Sequence, residues 1–183
     1  MRIAIDIDST LHHYWDQLEA VARRRFGVAI PYDEQVVWEI DRLRPEQLSA
    51  AVRETHTEPH ILASEPYPGA VDVVRAWHDA GHFIHITSHR AGEAHEETER
   101  WLQQIGLPYD ELYCSYDKIS RCREIGIDVL IDDSPENLLR AIDAGITAAT
   151  LRHPWNRELC ETEDVICADD WDGLAEQLEP VLA

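Results

Sequence analysis

Four groups of residues in this chain could do chemistry together. They are Asp6 with Asp8, Thr87 with Ser88, Lys118 alone, and Asp132 with Asp133. Each follows an apolar run of strand type. Ile3-Ala4-Ile5 leads into Asp6-Ile7-Asp8, and Val129-Leu130-Ile131 leads into Asp132-Asp133. A run apolar on both faces reads as a buried strand, and its interior should hold no unpaired charge. The carboxylates therefore belong at the strands' carboxyl ends, the edge where open parallel α/β sheets bind ligands. Alternate residues point the same way along a strand, so Asp6 and Asp8 can converge on one site. Four carboxylates at about 4 Å, at an effective dielectric near 20, cost about 4 kcal/mol per charged pair. A cation must sit among them, or some must be protonated. All-oxygen donors suit a hard ion such as Mg²⁺ and not Zn²⁺.

Thr87-Ser88 closes the run His82-Phe-Ile-His-Ile-Thr87. A hydroxyl there can donate to a phosphate oxygen, as can the N–H groups of the next turn. It could equally cap the helix that follows. Lys118 is the only lysine beside fifteen arginines. Either it is a compositional remnant, or one place needs a compact, movable ammonium.

The elements that must position these groups alternate strand and helix, which predicts an α/β fold with a doubly wound parallel sheet. Strands are expected over 3–7, 82–87, 111–114, 127–131, 146–151 and 164–167. Residues 13–66 carry no strand pattern and read as a small helical insertion, leaving 1–12 and 67–183 as the α/β core. Within the insertion, Trp15, Leu18, Ala22 and Phe26 fall near helical spacing, with Gly27 ending that helix. Asp33 is placed to cap a second helix carrying Val36, Val37 and Ile40. Pro45 starts a third, with Leu48, Ala51 and Val52 on one face. Trp15, Tyr32, Trp38, His56 and His60 could stack on a base or sugar ring, or pack a small helical core.

Composition excludes several classes. The formal net charge is −20 over 183 residues. That opposes binding to a nucleic-acid polymer, which needs Lys and Arg to neutralise phosphates. No stretch is long and apolar enough to span a bilayer, and the first residues lack a signal-peptide pattern. Cys114, Cys122, Cys160 and Cys167 show no C-x-x-C spacing, so reduced thiols and a cytoplasmic location are expected. A monomer or homodimer is expected.

Asp6-x-Asp8-x-Thr10-Leu11, a strand ending in Thr87, a Lys before a helix, and Asp132-Asp133 after a strand together resemble the four motifs of the haloacid dehalogenase-like superfamily. The resemblance spans essentially the whole chain, and the insertion after the first motif is similar to that superfamily's first-type cap. Pro66 to Ala70, Thr87-Ser88 and Ile131-Asp-Asp-Ser-Pro-Glu-Asn137 look most like the 5′(3′)-deoxyribonucleotidases and related nucleotidases. The resemblance implies a Mg²⁺-dependent phosphatase acting on a small phosphomonoester, a nucleoside monophosphate first. Asp6 would be the nucleophile that forms an aspartyl-phosphate. Asp8 would protonate the leaving oxygen and then activate water, which requires a raised pKa. Mg²⁺ would be held by Asp6, the Asp8 carbonyl and Asp132, with Asp133 in support. Thr87, Ser88 and Lys118 would bind the phosphoryl group. Trp15, Trp38 and Arg90 are candidate substrate contacts, with Arg90 holding a second anionic group or pairing with an acidic neighbour. Alternatives are a sugar- or other metabolite-phosphate phosphatase, or a non-catalytic phosphate-binding or signalling domain. Receiver domains, however, place their acidic pair before the lysine. Ser9 departs from the pattern, standing where the family usually has Gly. So do His12, His13 and His89-Arg90.

Overall fold

The structure is a computed structural model and describes residues 1–90, 92–115, 117–162 and 164–183. Among the described residues, six strands form one sheet: β1 (Arg2–Asp6), β2 (Phe83–Ser88), β3 (Glu111–Cys114), β4 (Val129–Ile131), β5 (Thr147–Leu151) and β6 (Val165–Ala168). Their order is β3-β2-β1-β4-β5-β6, and every pairing is parallel. β1 lies where the order reverses direction, so a crevice opens beyond its carboxyl end. The register places Asp6 beside Thr87.

Period-two alternation divides β1 between two helical layers. Ile3 and Ile5, with Ile7 just beyond the strand, face α4 (Ala70–Asp79), α5 (His95–Ile105) and α8 (Trp171–Leu182) through Val74, Trp101 and Leu174. Ala4 faces α6 (Lys118–Glu124) and α7 (Pro135–Asp143) through Ile119, Cys122 and Leu138. Helices on both faces of a parallel sheet are the expected doubly wound architecture. Strand ends differ from the expected ones by one or two residues, which leaves every motif on its element.

The insertion holds α1 (Tyr14–Phe26), α2 (Pro45–Thr55) and the one-turn α3 (Glu58–Leu62), which periodicity did not reveal. Gly27 closes α1 in the left-handed region at φ 67°. Trp15, Leu18, Val21, Ala22, Ile30, Leu43 and Ala51 form their own cluster, and Trp155 from beyond β5 joins it.

Two expectations fail here. Asp33 caps no α-helix and lies inside a single 3-10 turn, Tyr32–Glu34. After it, the Gln35 side-chain amide donates to the carbonyls of Val37 and Glu39, holding the loop in a non-helical path. Val36, Val37 and Trp38 are left 64%, 52% and 42% exposed, so no buried stripe rewards a helix there. The second concerns the cysteines. Cys114 and Cys122 are free, but Cys160 and Cys167 form a disulfide. The 3-10 turn Leu159–Glu161 folds the chain back into β6 and brings their Cα atoms to 5.4 Å, within bridging range. That reversal is invisible to a spacing rule built on C-x-x-C.

Candidate active site

The carboxyl ends of β1 and β4 and the start of α6 meet around one ammonium group. Lys118 Nζ donates to Asp6 Oδ1 at 2.5 Å and to Asp132 Oδ2 at 2.8 Å. All three residues are buried. Asp117 caps α6 by accepting from the Ser120 N–H, which sets Lys118 as the first helical residue. Asp132 Oδ1 accepts from the Ser134 N–H at 2.9 Å and from Asn137 Nδ2 at 3.2 Å. Ser134 caps α7, and Asn137 lies on the helix's first turn. A strand end and a helix cap therefore fix Asp132 together.

One lysine does not balance this group of acids. Burial pushes Asp6 up to about 7, and the charges of Asp132 and Asp8 add to that against the opposing pull of Lys118. Asp133 is raised well above the usual carboxylate range, first by burial and then by Asp6 and Asp132. Lys118 is raised despite its burial, because both carboxylates favour its charged form. Asp6, Asp132 and Asp133 can each present an oxygen within 4.8 Å of the others. Buried oxygen donors with excess negative charge fit a hard divalent cation.

Asp8, two residues along, has the opposite surroundings. Arg90 grips it with both edges of its fork: Nη2 donates to Oδ1 at 2.7 Å and Nε to Oδ2 at 3.2 Å. His12 Nε2 lies 3.0 Å from Oδ1, and His56 Nε2 lies 3.6 Å from Oδ2. Burial alone would raise Asp8. The Arg90 guanidinium and the two histidines outweigh it and hold the carboxyl well below its usual range. In this arrangement Asp8 is therefore held down; the raised value is expected of a closed, water-excluding cap.

Arg90 is corrected too. Its side chain is 1% exposed, donates from Nη1 to Thr98 Oγ1 at 3.2 Å, and sits 5.9 Å from the Trp101 ring centroid. Of the two roles left open for it, pairing with an acid is the one observed. It is not among the described residues that line the cavity.

A cavity of about 490 Å³ opens above the carboxylates. Asp6, Asp8, Lys118, Asp132 and Asp133 form its floor, and Tyr14, Trp15, Trp38, Leu48, His56 and Trp155 contribute to its walls. Trp15 and Trp38, the two candidate substrate contacts, both line it. Trp15 is also a packing residue, since its indole donates to the Ile30 carbonyl at 2.6 Å. Thr87 and Ser88 are fully buried and are not lining residues. Thr87 Oγ1, level with Asp6 in the sheet, has no hydrogen-bond partner among the described residues. The Ser88 hydroxyl accepts from the Arg90 N–H at 3.1 Å.

Sequence reasoning missed the part played by His12 and His56, and by the loop after β5. His12 follows Asp8 by four residues, a spacing that could have signalled the pair. His56 reaches Asp8 only through the packing of the insertion. In the β5 loop, the Trp155 indole donates to the Asp133 carbonyl at 3.2 Å, and His153 Nε2 lies 2.8 Å from the Ser9 carbonyl. A run of His-Pro-Trp-Asn at a strand's carboxyl end was the available signal.

Residues 1–181 match the family described as 5′ nucleotidase, deoxy (Pyrimidine), cytosolic type C. A Chlorobaculum tepidum protein described as "Putative 5′(3′)-deoxyribonucleotidase" is 26% identical over 181 residues, spanning 93% of this chain and 88% of the relative. Among solved structures, a haloacid dehalogenase (HAD) family hydrolase from Deinococcus radiodurans, crystallised with phosphate and sodium, matches with TM-score 0.63 at 17% identity, covering 100% of this chain and 94% of its own. A HAD hydrolase from Entamoeba histolytica matches with TM-score 0.67 at 10% identity, covering 97% and 99%. These structural likenesses establish the shared fold.

Proposed function

The chain belongs to the 5′ nucleotidase, deoxy (Pyrimidine), cytosolic type C family of HAD-like phosphomonoester hydrolases, and we propose that it hydrolyses nucleoside monophosphates through an aspartyl-phosphate on Asp6. The observation that carries this reading is the buried Asp6–Lys118–Asp132 group at the floor of an aromatic-walled cavity.

Asp6 attacks phosphorus, and the ester bond to the leaving oxygen breaks. Lys118 offsets the approach of an anionic carboxylate to an anionic phosphate. Asp8 gives a proton to the leaving oxygen and then takes one from the water that cleaves the acyl phosphate. Its anionic state suits the second half of that cycle. The first half requires Asp8 to be protonated, so the Arg90 contact must loosen when substrate enters. Asp6, Asp132 and Asp133, with the Asp8 carbonyl, would hold Mg²⁺, which would supply charge neutralisation at the phosphoryl group.

The cavity's walls favour a neutral, flat leaving group. Apart from Lys118, no Lys or Arg is among its described lining residues, so a second phosphate would find no strong partner there. Trp38, which lines the cavity and stays partly exposed, offers a ring face for stacking. Residues 13–66 act as a cap over the site; the family's description is cytosolic, whereas the Cys160–Cys167 disulfide is a bond that cytosolic proteins rarely keep. No helix among the described residues is long and apolar enough to cross a membrane.

The test is phosphate release from nucleoside monophosphates, sugar phosphates, a sugar bisphosphate and an aryl phosphate, each with Mg²⁺ and with a chelator. Nucleoside monophosphates should turn over fastest and only with metal. Preference for a sugar phosphate would replace the substrate assignment, and metal-independent turnover would remove the cation from the scheme.

A further inference from the structure

Ser9, immediately after Asp8, is the single non-glycine residue with a positive φ, 63°, among the described residues. L side chains disfavour that region, so the surroundings must hold the turn in place. Every carbonyl from Ser9 to Leu11 is tied down. Leu11 O accepts from the Tyr67 N–H at 2.8 Å, and Thr10 O from the Trp171 indole at 3.0 Å. The Ser9 carbonyl, at the strained residue itself, faces His153 Nε2 at 2.8 Å.

A carbonyl can only accept, so His153 Nε2 must carry the hydrogen. In the neutral ring Nδ1 is then an acceptor, and it faces the Tyr32 hydroxyl at 2.7 Å. Tyr32 therefore donates, and its bond selects the tautomer that can reach Ser9. The ring is 3% exposed and stacked on Trp155, with centroids 4.6 Å apart and planes 2° from parallel. The His153 N–H donates to Asn156 Oδ1 at 2.8 Å, and Trp155 reaches the Asp133 carbonyl. One short loop thus grips both the turn after Asp8 and the turn at Asp133.

We propose that His153 is a positioning residue for the phosphatase reaction: it anchors the left-handed turn at Ser9 and so aims Asp8, with Tyr32 of the insertion selecting its tautomer. His153 does not line the cavity, so it acts through Ser9 and not on substrate. The catalytic consequence rests on the role assigned above to Asp8, whereas the anchoring itself does not.

The test is a double-mutant cycle between His153→Ala and Ser9→Gly, since glycine takes a positive φ without an anchor. In the original background, His153→Ala should lower kcat at least tenfold with KM within about twofold. In the Ser9→Gly background the same change should cost less than threefold. His153→Gln, which keeps an N–H donor, should recover most of the loss. Tyr32→Phe should cost a smaller factor in the same direction. Equal losses in both backgrounds would overturn the proposal, as would an unchanged kcat in His153→Ala. Thermal unfolding of the same four proteins is read in parallel, and the Tm loss should also shrink in the Ser9→Gly background. Nitrogen-15 NMR of the unaltered protein should show His153 neutral with its proton on Nε2, and a proton on Nδ1 would overturn the anchoring. If no phosphomonoester turns over but the Tm cycle and tautomer are as expected, the functional reading fails and the anchor stands.

Discussion

Asp6 and Asp8 leave the same strand two residues apart, yet they sit in opposite electrostatic surroundings. Asp6 shares one ammonium with Asp132, beside Asp133, and is pushed up to about 7. Asp8 has a guanidinium fork and two histidines to itself and is held far down. The Asp6 side is short of positive charge, which is the condition for taking up a cation and a phosphate. The Asp8 side already has its counter-charge built in. The choice of cation follows from this. A compact ammonium can be shared between two carboxylates, whereas a planar fork binds one carboxylate through both oxygens. That is a physical reason for the chain's one lysine to stand at position 118 and for an arginine to stand at 90.

The sharpest test of the contrast is Asp6→Asn. Turnover should fall at least a thousandfold in a phosphate-release assay. The melting temperature should hold or rise, because a destabilised carboxylate has been removed from a crowded, buried group. Retained activity would end Asp6's assignment as nucleophile.

Lys118→Met should show the converse. It leaves Asp6 and Asp132 without their shared cation, so denaturant unfolding should register a loss of about 3–5 kcal/mol, together with at least a hundredfold loss of activity. Added Mg²⁺ should restore part of the stability if the carboxylates can use it instead. A Lys118→Met protein as stable as the original would show that the ammonium does not hold the acids together.

Arg90→Lys keeps the charge but gives up the bidentate geometry, and kcat/KM should fall about tenfold, near 1.4 kcal/mol. An unchanged value would mean that Asp8 needs only a nearby positive charge.

The smallest effect belongs to a buried histidine on β2, outside both clusters. His85 is lowered to about 4, chiefly by burial, and neither ring nitrogen has a hydrogen-bond partner among the described residues. The unfolded chain, with an ordinary value near 6.5, binds a proton more readily than the fold does. The stability from keeping His85 neutral is therefore complete above about pH 6.5 and is lost as pH falls toward 4. His85→Leu should flatten that part of the stability–pH curve by up to about 3 kcal/mol, as read by urea unfolding. If it instead changed turnover at neutral pH, β2 would be coupled to the site more tightly than the two-cluster picture allows.

Much of this arrangement was legible in the sequence because it rests on local rules. Apolar runs ending in acids located the strand ends, since a buried strand cannot carry an unpaired charge. Lys118 stands out by its singularity, the helix over 14–26 by its spacing and Gly27, and the start of the next helix by Pro45. The failures were of another kind. The loop from 35 to 44 has apolar residues in an order that suits a helix, but no surface is available to bury them, and the Gln35 amide holds the backbone elsewhere. Cys160 and Cys167 pair because a turn reverses the chain between them.

The sequence by itself determined the fold class, the order of the strands along the chain, and the carboxylates and lysine that gather at one sheet edge. These follow from hydrophobic period and from the cost of burying charge, both carried by neighbouring residues. Only the tertiary structure decided which carboxylate each cation serves, and so that Asp6 is pushed up while Asp8 is held down. Arg90 meets Asp8 across 82 positions, and His153 meets Ser9 across 144. Contacts of that range depend on strand register and on how the insertion packs against the β5 loop. The protonation of a buried acid depends in turn on every charge those contacts bring within a few ångströms.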